Sequence, residues 1–440
     1  MRGAGPLHAR LTDALREAVR DGRLRDGSRL PSSRSLAGEL GCSRWVVTEA
    51  YAQLAAEGYL DGQIGSGTRV RMTGRFAEAA APPAARVVDA AIDLAPGLPD
   101  LHAFPVTRWV AAVRAAAAAM PVAGLGYPDP AGHPALRDVL AAYLTRVRGA
   151  RADPADLTVC GSVREGIARL CAALREAGCR AVAVEDPGWH RLREQIAGTG
   201  LEVVPVPVDD QGLRADLLDR HPAAGAVVVS PAHQFPLGTV LSASRRAALL
   251  TWARRTGGLI IEDDYDAEYR YDRRPVGALQ GADPGAVALL GSVSKTLSPA
   301  LGIGWMVTPR RWTARLRSTF VTAPPVLDQL AFAEFTRAGS YDRHLRAGRQ
   351  RYRQRRDALV TCLAGMRVTG ASAGLHLVVE LDDGLDGAAV QRRALAFGLR
   401  VANLDTYRVA DTGPPGLVLG YGNLADHQIR SAVALLNRAI

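Results

Sequence analysis

Apolar residues recur at helical spacing at the start of the chain. In the stretch "LHARLTDALREAVR", residues 7–20, one helix face collects Leu7, Leu11, Leu15 and Val19. Residues three and four positions apart lie on the same side of a helix, so this pattern predicts an amphipathic helix.

Two shorter helical patterns follow. Ser32 or Ser33 can cap a helix that Gly41 ends, and Ser43 can cap a second helix from Arg44 to about Glu57. The second helix carries an apolar stripe of Val47, Ala50, Tyr51 and Leu54. Two short helices joined by a turn that contains glycine are typical of a helix-turn-helix.

A glycine-rich wing and a linker come next. Residues 59–60 and 68–70 are predicted as strands on either side of "DGQIGSG". The Ala/Pro-rich stretch over residues 73–92 lacks apolar periodicity and predicts a short, semi-rigid connection. The sequence thus predicts a winged helix-turn-helix over residues 1–72 and a second domain over residues 93–440.

The second domain alternates short Val/Ile-rich runs with amphipathic helical patterns. The runs include "AVAVED", "AGAVVVSP", "GLIIEDDY" and "AVALLGSVSK". Such alternation predicts a largely parallel α/β sheet. In parallel sheets ligands bind at the carboxyl ends of the strands, so the residues that follow these runs are the candidate site.

Composition narrows the classes of protein. No stretch approaches the roughly 20 apolar residues of a membrane span. The five cysteines, Cys42, Cys160, Cys171, Cys179 and Cys362, are scattered without a CxxC pair. We therefore expect free thiols in a cytoplasmic protein and no zinc site. The net charge of +10 permits an anionic partner without identifying one.

Lys295 is the only lysine among 54 basic Lys and Arg residues. It follows the predicted strand "AVALLGS", between Ser294 and Thr296. An amine can form a Schiff base with an aldehyde, whereas a guanidinium cannot. A lone lysine is usually a solvated charge, but its place at a strand end favours a chemical role.

Other strand ends carry side chains that suit a planar, phosphorylated cofactor. Asp263 could hold a protonated pyridine nitrogen, although "EDD" offers three acids, and Tyr265 could bond to a ring oxygen. Trp189 offers a face for stacking, or else packs in the core. "CGSVREG", residues 160–166, leads from a strand into a helix whose free N–H groups could cradle a phosphate.

The first domain resembles the winged helix of GntR-type transcriptional regulators. The shared pattern is "LPSSR.LA..LG.SR..V..AY..L..EGYL....GSGT.V". The resemblance implies double-stranded operator DNA as a partner. The implied contacts are Arg34 and Arg44 at the helix edges, Ser43, Trp45 and Thr48 facing the major groove, and Gly65 in the wing. Alternatively, the two arginines merely solvate a small helical domain.

The whole chain resembles the MocR subgroup of these regulators. The motifs are "DPG(aromatic)", "PAHQFP.G", "EDDYD.E(aromatic)RYD" and "SKTL.PAL..GW". The resemblance implies a fold-type I aminotransferase-like domain that binds pyridoxal 5'-phosphate (PLP). It also implies a homodimer with shared sites, regulation rather than catalysis, and at most residual half-transamination.

The resemblance also implies roles for single residues. Lys295 forms the Schiff base, Asp263 pairs with the pyridine nitrogen, Tyr265 approaches the phenolic oxygen and Trp189 stacks on the ring. The implied phosphate contacts are Ser162, Val163, Ser292 and, from the partner subunit, Tyr127. His233 or Gln234 is a weaker candidate for the position near the phenolic oxygen.

Four positions concern departures from the family pattern or the effector. Gly302 stands where many members have an arginine for the phosphate, and Leu237 replaces a threonine. Arg191 matches a position that binds an effector carboxylate, but Asn423 replaces the second arginine. We therefore expect the effector to be PLP itself, or an amine with a different acidic group. A working aminotransferase and a cofactor-free regulator are the alternatives.

Overall fold

The structure is a computed structural model that describes residues 5–63, 67–71, 90–271, 276–319, 323–410 and 413–440. Its contacts divide the chain into two units, Met1–Val88 and Asp89–Ile440. Most of the linker predicted at 73–92 lies outside the described residues. Among the described residues, no helix has the length and apolar character that a bilayer-spanning segment requires.

Three helices and a hairpin form the first unit. The elements are α1 Leu7–Arg20, α2 Ser33–Leu40, α3 Arg44–Ala56, β1 Leu60–Gln63 and β2 Gly67–Val70. The two strands pair antiparallel, with Leu60 opposite Val70. Four apolar residues of α3, Val47, Ala50, Tyr51 and Leu54, are buried as the stripe predicted. On α1, Leu11 and Val19 are buried, whereas Leu7 is exposed.

The helix ends of the first unit follow the predicted capping chemistry with one exception. The Ser32 hydroxyl accepts a hydrogen bond from the Ser35 N–H at 3.2 Å. Gly41 ends α2 in the left-handed conformation with φ +61°, which a residue without Cβ adopts at little cost. Ser43 holds the N-cap position of α3, but its side chain makes no capping hydrogen bond in the described structure.

The second unit contains eleven α-helices and fourteen strands within the described residues. The helices are α4 Val106–Ala119, α5 Pro134–Arg148, α6 Val163–Glu176, α7 His190–Gly198, α8 Ala243–Thr256, α9 Leu279–Ala282, α10 Arg310–Thr319, α11 Val326–Arg337, α12 Ser340–Cys362, α13 Gly387–Ala396 and α14 Ile429–Ala439. The strands are β3 Ile92–Asp93, β4 Leu157–Cys160, β5 Ala181–Asp186, β6 Glu202–Asp209, β7 Gly212–Leu213, β8 Ala224–Val229, β9 Leu259–Asp263, β10 Val287–Ser292, β11 Gly304–Val307, β12 Arg367–Thr369, β13 His376–Glu380, β14 Leu399–Arg400, β15 Ala402–Asn403 and β16 Gly416–Gly420.

An eight-stranded sheet dominates this unit, with the order β4-β11-β10-β9-β8-β5-β6-β7. The five strands from β10 to β6 pair parallel. β11 is antiparallel to both β10 and β4, so β4 runs in the direction of the parallel strands. The predicted, largely parallel sheet is thus present, and its hydrophobic runs are buried on both faces.

A second, smaller sheet is antiparallel, with the order β12-β13-β16-β15. The arginine-rich stretch before it forms the 23-residue helix α12. Its buried Arg355 donates to Asp100 at 2.8 Å and to Asp426 at 2.6 Å. This arginine is therefore paired inside the protein.

Candidate functional site

Five strands of the large sheet end at the same edge. β4, β5, β8, β9 and β10 run in one direction. The residues after them are, in that order, Ser162, Trp189, His233, Tyr265 and Lys295. The topology therefore collects at one edge most of the side chains predicted for the cofactor.

Lys295 lies in a turn that backbone hydrogen bonds close. The Leu297 N–H donates to the Val293 carbonyl at 2.8 Å, and the Lys295 amine donates to the carbonyl of Gly97. Burial lowers the pKa of Lys295, while the charges of Asp263 and Asp266 oppose that shift. A lowered pKa increases the fraction of free amine, which is the form that attacks an aldehyde.

Three hydrogen bonds fix the residue after this lysine. Tyr341 donates to the Thr296 hydroxyl at 2.9 Å, and His344 Nε2 lies 2.8 Å from the Thr296 carbonyl. Tyr269 donates to the same carbonyl at 3.2 Å. Two of these partners belong to α12, so the long helix holds the lysine turn in place.

The three acids of "EDD" have three different environments. Glu262 accepts hydrogen bonds from the first N–H groups of α9, at 3.0 and 3.1 Å. Asp264 pairs with the buried Arg148 at 2.6 Å. The Oδ1 atom of Asp263 is buried and has no hydrogen-bond partner among the described residues. The middle acid is therefore the one left to receive a donor from a ligand.

The electrostatics of Asp263 fit a cationic ring nitrogen. Burial raises its pKa to about 7, the charges of Asp264 and Asp266 add to the rise, and Lys295 opposes it. A protonated pyridine nitrogen would supply both the missing donor and a compensating charge. This orphaned oxygen is the observation that best matches the pyridine end of PLP.

Tyr265 contacts one of the two weaker candidates for the phenolic-oxygen position. Its hydroxyl lies 3.1 Å from His233 Nδ1. Gln234 instead donates to the carbonyls of Pro187 and Phe235 at 2.8 and 2.7 Å. Gln234 therefore stabilises its own loop, whereas His233 contacts Tyr265, the residue predicted to bind the phenolic oxygen of the cofactor.

The other cofactor candidates lie at two neighbouring strand ends. Trp189 precedes α7, half-buried, with the Arg164 guanidinium 5.7 Å from its ring. Ser162 caps α6 by accepting from the Glu165 N–H at 3.1 Å, and Val163 is the first residue of that helix. The buried Ser292 hydroxyl accepts from the Ser294 N–H at 3.3 Å.

An acidic side chain occupies part of the candidate phosphate cradle. Glu165 Oε2 accepts the Gly161 N–H at 2.7 Å, and Arg169 Nε donates to its Oε1 at 2.9 Å. Gly302 borders the same place, because a Cβ built on Gly161 would lie 3.8 Å from the Gly302 carbonyl oxygen. The residues around Asp263 thus suit the pyridine ring of PLP. The candidate phosphate site, in contrast, carries less positive charge than the family pattern implies.

The residues predicted for the partner subunit and the effector face solvent in the single chain. Tyr127 is fully exposed, and Arg191 is exposed near the start of α7. Asn423 accepts a hydrogen bond from the Leu101 N–H at 3.2 Å, so it holds a loop. Leu237 donates its N–H to Gln234 Oε1 at 3.1 Å.

The predicted DNA-contacting residues share an exposed surface of the first unit. Exposed side chains on α2, at the start of α3 and just before it are Arg34, Ser43, Arg44, Trp45 and Thr48. Arg44 donates to the Ser33 hydroxyl at 3.3 Å, and Trp45 stacks edge-on against His8. Gly65 lies outside the described residues. The start of α3 therefore exposes polar and aromatic side chains that take no part in packing its buried face.

Three contacts were missed at the sequence level. The Gly97 carbonyl meets Lys295 across 198 positions, and Asp266 bonds His233 across 33. No local pattern reports such contacts. Glu165 had a readable signal, because Ser162 and Glu165 have the spacing of a capping box.

Two family descriptions match the chain. Residues 7–70 match "Bacterial regulatory proteins, gntR family", and residues 90–404 match "Aminotransferase class I and II". The HTH-type pyridoxine biosynthesis transcriptional regulator PdxR of Corynebacterium glutamicum is 33% identical over 99% of this chain and 96% of its own length. The probable rhizopine catabolism regulatory protein MocR of Rhizobium meliloti is 31% identical over 99% and 94%.

A solved structure resembles the second unit. An archaeal alanine:glyoxylate aminotransferase matches with a TM-score of 0.73 and 22% identity, over 79% of this chain and 90% of its own. At that identity the similarity establishes the fold, which is the predicted fold-type I aminotransferase fold.

Proposed function

Because the chain belongs to the MocR-type transcriptional regulators, in which a GntR domain precedes an aminotransferase class I and II domain, we propose that PLP controls its binding to DNA. The proposal is a DNA-binding regulator that holds PLP on Lys295 and senses PLP or an amine. The proposed boundaries are residues 1–72 for the DNA-binding domain and 93–440 for the effector and dimerisation domain.

The orphaned oxygen of Asp263 carries this proposal. A buried carboxylate oxygen without a donor costs free energy, and proteins keep such atoms where a ligand satisfies them. Asp263 interacts electrostatically with Lys295, an amine whose pKa burial has lowered. When bound, PLP would supply an aldehyde for the Lys295 amine and a ring nitrogen for Asp263.

The chain's own residues divide the work of holding this group. Asp263 keeps the ring nitrogen protonated, Tyr265 donates to the phenolic oxygen and Trp189 covers one ring face. The proposed phosphate contacts are Ser162, Val163, Ser292 and the partner's Tyr127. The last of these requires a homodimer, and the full exposure of Tyr127 leaves it free for that role. Arg191 is the proposed contact of an acidic effector.

Catalytic turnover is the second candidate, because the fold is that of the aminotransferases. The site argues against it. Asn423 replaces the second carboxylate arginine and already holds Leu101. The phosphate cradle contains Glu165 and lacks an arginine at Gly302. We therefore propose sensing, with at most a residual half-reaction.

A spectroscopic titration tests the cofactor proposal. PLP is added to the full-length protein, to Lys295→Arg and to Lys295→Ala, and the visible band of the lysine-linked cofactor is followed. The wild type should develop the band, and borohydride should make it permanent. Lys295→Arg keeps the charge but has no condensing amine, so neither variant should respond.

The same preparations then report on regulation. DNA fragments selected by the protein from a random pool are bound at fixed salt, with and without PLP. PLP should change the dissociation constant of the wild type and not of Lys295→Arg. A wild type without any band at saturating PLP would favour the cofactor-free regulator.

A further inference from the structure

A buried polar cluster lies behind Tyr265. It consists of His233 from the loop after β8, Asp266 from the loop after β9 and His376 from β13. His233 Nδ1 lies 2.9 Å from Asp266 Oδ2 and 3.1 Å from the Tyr265 hydroxyl. His233 and Asp266 are only 3% and 1% exposed. Such a cluster is costly to bury unless its hydrogen bonds are satisfied.

The backbone is shaped to admit this cluster. Gly374 has φ +71°, and a Cβ at this position would lie 2.1 Å from His233 Cε1 and 2.5 Å from Asp266 Oδ2. Any side chain at residue 374 would therefore displace the pair. The contact between His233 and Asp266 depends on a glycine more than a hundred positions further along the chain.

The position of the proton follows from the partners. An ionised carboxylate only accepts, so the Nδ1 atom beside Asp266 carries the hydrogen. The same N–H faces the Tyr265 oxygen, which then accepts on that side. The hydroxyl hydrogen of Tyr265 must therefore point away from His233, which leaves it available to the phenolic oxygen that Tyr265 is proposed to contact.

The second histidine adds no charge to this arrangement. His376 Nε2 lies 3.0 Å from the Pro236 carbonyl and its ring centre is 5.0 Å from that of His233. Burial lowers the pKa of His376 to about 3, so the ring is neutral at physiological pH. The titratable groups facing His233 are thus Asp266, Tyr265 and His376.

An alternative function for the same three residues is to bind a metal ion. Ligand atoms of His233, Asp266 and His376 lie within 4.8 Å of one another. However, His233 Nδ1 already meets Asp266, and His376 Nε2 already meets a carbonyl. Hydrogen bonds account for these atoms, and a chelator distinguishes the two readings.

We propose that His233, oriented by Asp266, is a positioning residue that fixes the Tyr265 hydroxyl as a hydrogen-bond donor toward the phenolic oxygen of the cofactor. The inference rests on the proposed binding of PLP at Lys295. In this proposal His233 and Asp266 act through Tyr265 to control the charge at the phenolic oxygen.

The test is a pH titration of the visible band of PLP-loaded protein. When the tyrosine donor is lost, the phenolate holds the proton on the neighbouring lysine nitrogen more tightly. The pH midpoint should then rise, by about one unit for a hydrogen bond to a charged group. Tyr265→Phe sets the size of the full effect.

Two variants of His233 test whether the position of its N–H group matters, and not merely the size of the side chain. The Asn side chain places its N–H₂ near the position of Nδ1, so His233→Asn should keep a midpoint near that of the wild type. The Gln side chain places it near Nε2, so His233→Gln should shift the midpoint toward that of Tyr265→Phe. A merely structural role would not distinguish the two amides in this way.

Asp266→Leu gives an independent reading if His233→Gln does not fold. Leucine removes the acceptor that keeps the hydrogen on Nδ1, so this nitrogen can accept. Tyr265 would then turn its hydrogen to His233 and away from the cofactor, so the midpoint should rise here too. An unchanged midpoint in a folded His233→Gln or Asp266→Leu protein overturns the proposal, as does a wild-type midpoint that moves on chelation. A wild type without a band would instead refute the proposed function.

Discussion

Asp263 has a buried carboxyl oxygen that receives no hydrogen bond from any residue in the described part of the chain. The two neighbouring acids have partners within the protein. Glu262 accepts a hydrogen bond from the start of α9, and Asp264 forms an ion pair with Arg148. The folded protein without a cofactor therefore holds one carboxylate in an unfavourable state. A ligand that brings a cation to this atom gains what the protein alone cannot supply.

The first prediction is that Asp263→Asn flattens the pH dependence of stability in the cofactor-free protein. The pKa of Asp263 is raised from 3.8 to about 7 on folding, so the folded state binds more protons between these values. Stability is then highest at low pH and falls as pH rises through that window. The wild type should lose more unfolding free energy than the variant between pH 5 and 8.

Urea unfolding at both pH values measures this difference. Burial raises the pKa values of Glu262 and Glu268 in both proteins, so their contributions cancel in the comparison. Asp264→Asn is the control, because breaking its pair with Arg148 should destabilise at both pH values. Equal pH slopes for the wild type and Asp263→Asn would contradict the assignment.

The second prediction concerns the phosphate end. Glu165→Gln removes a negative charge from the start of α6 and breaks the ion pair between Glu165 and Arg169. Helix N-termini favour anions, so PLP should bind roughly 3- to 10-fold more tightly. Pyridoxal lacks the phosphate and should bind as it does to the wild type.

Both dissociation constants come from the visible titration. Glu176→Gln is the matched control, since it removes the same charge at the exposed last residue of the same helix. It should change neither constant. A parallel gain for pyridoxal and PLP would mean that Glu165 acts on the ring or on the fold, and not on the phosphate.

At the scale of single residues, the sequence predicted candidate side chains but not their geometry. The lone lysine and the motif around it pointed to Lys295 and Asp263, because the proposed functions need particular side chains. The choice among the three acids depends on α9 and Arg148, which lie far along the chain. The contact between Gly97 and Lys295 likewise depends on the folded loop, and no local pattern encodes it.

At the scale of elements, α12 connects the lysine turn to the rest of the second unit. Tyr341 and His344 both reach Thr296, the residue after Lys295. A rigid helix of 23 residues is a firm support for a reactive group. The amine is therefore held by packing as well as by its own short turn.

The third prediction is that Thr296→Val weakens both the fold and cofactor binding. Valine has the shape of threonine without the hydroxyl, so the buried Tyr341 hydroxyl loses its hydrogen bond to Thr296. We expect a loss of about 1–3 kcal/mol in unfolding free energy. Urea unfolding and the PLP titration measure the two effects, and the PLP dissociation constant should rise.

Thr361→Val provides the comparison on the same helix. Its hydroxyl donates to the Asp357 carbonyl within α12, and the side chain is exposed. This variant should change stability by a few tenths of a kcal/mol and leave PLP binding intact. If the two variants behave alike, the Thr296 hydroxyl does not support the site.

Elements were the most predictable level of this molecule. Apolar periodicity and capping residues placed α1, α2 and α3 to within a residue or two, because those signals are local. The arginine-rich sequence of α12 does not show by itself that Arg355 is buried between Asp100 and Asp426. Its acidic partners come from distant segments, so the pattern within α12 is silent about them.

At the scale of the whole molecule, the proposed function joins two activities in one chain. A regulator needs its ligand to bind one state of the protein more tightly than another. The coupling free energy between PLP and DNA must be the same whichever ligand binds first. This reciprocity can be measured without knowledge of the structural change that carries it.

The last prediction is that DNA and PLP shift each other's affinity by one common factor. The PLP dissociation constant is measured with and without saturating selected DNA, and the DNA constant with and without saturating PLP.

Arg44→Ala should weaken DNA binding on all sequences and reduce its salt slope by about one. The visible titration with PLP should stay unchanged in this variant. Arg23→Ala, an exposed arginine outside the helices of the same unit, should leave both bindings unaltered. Unequal factors in the wild type would show that PLP acts on DNA binding by another route, such as a change in oligomeric state.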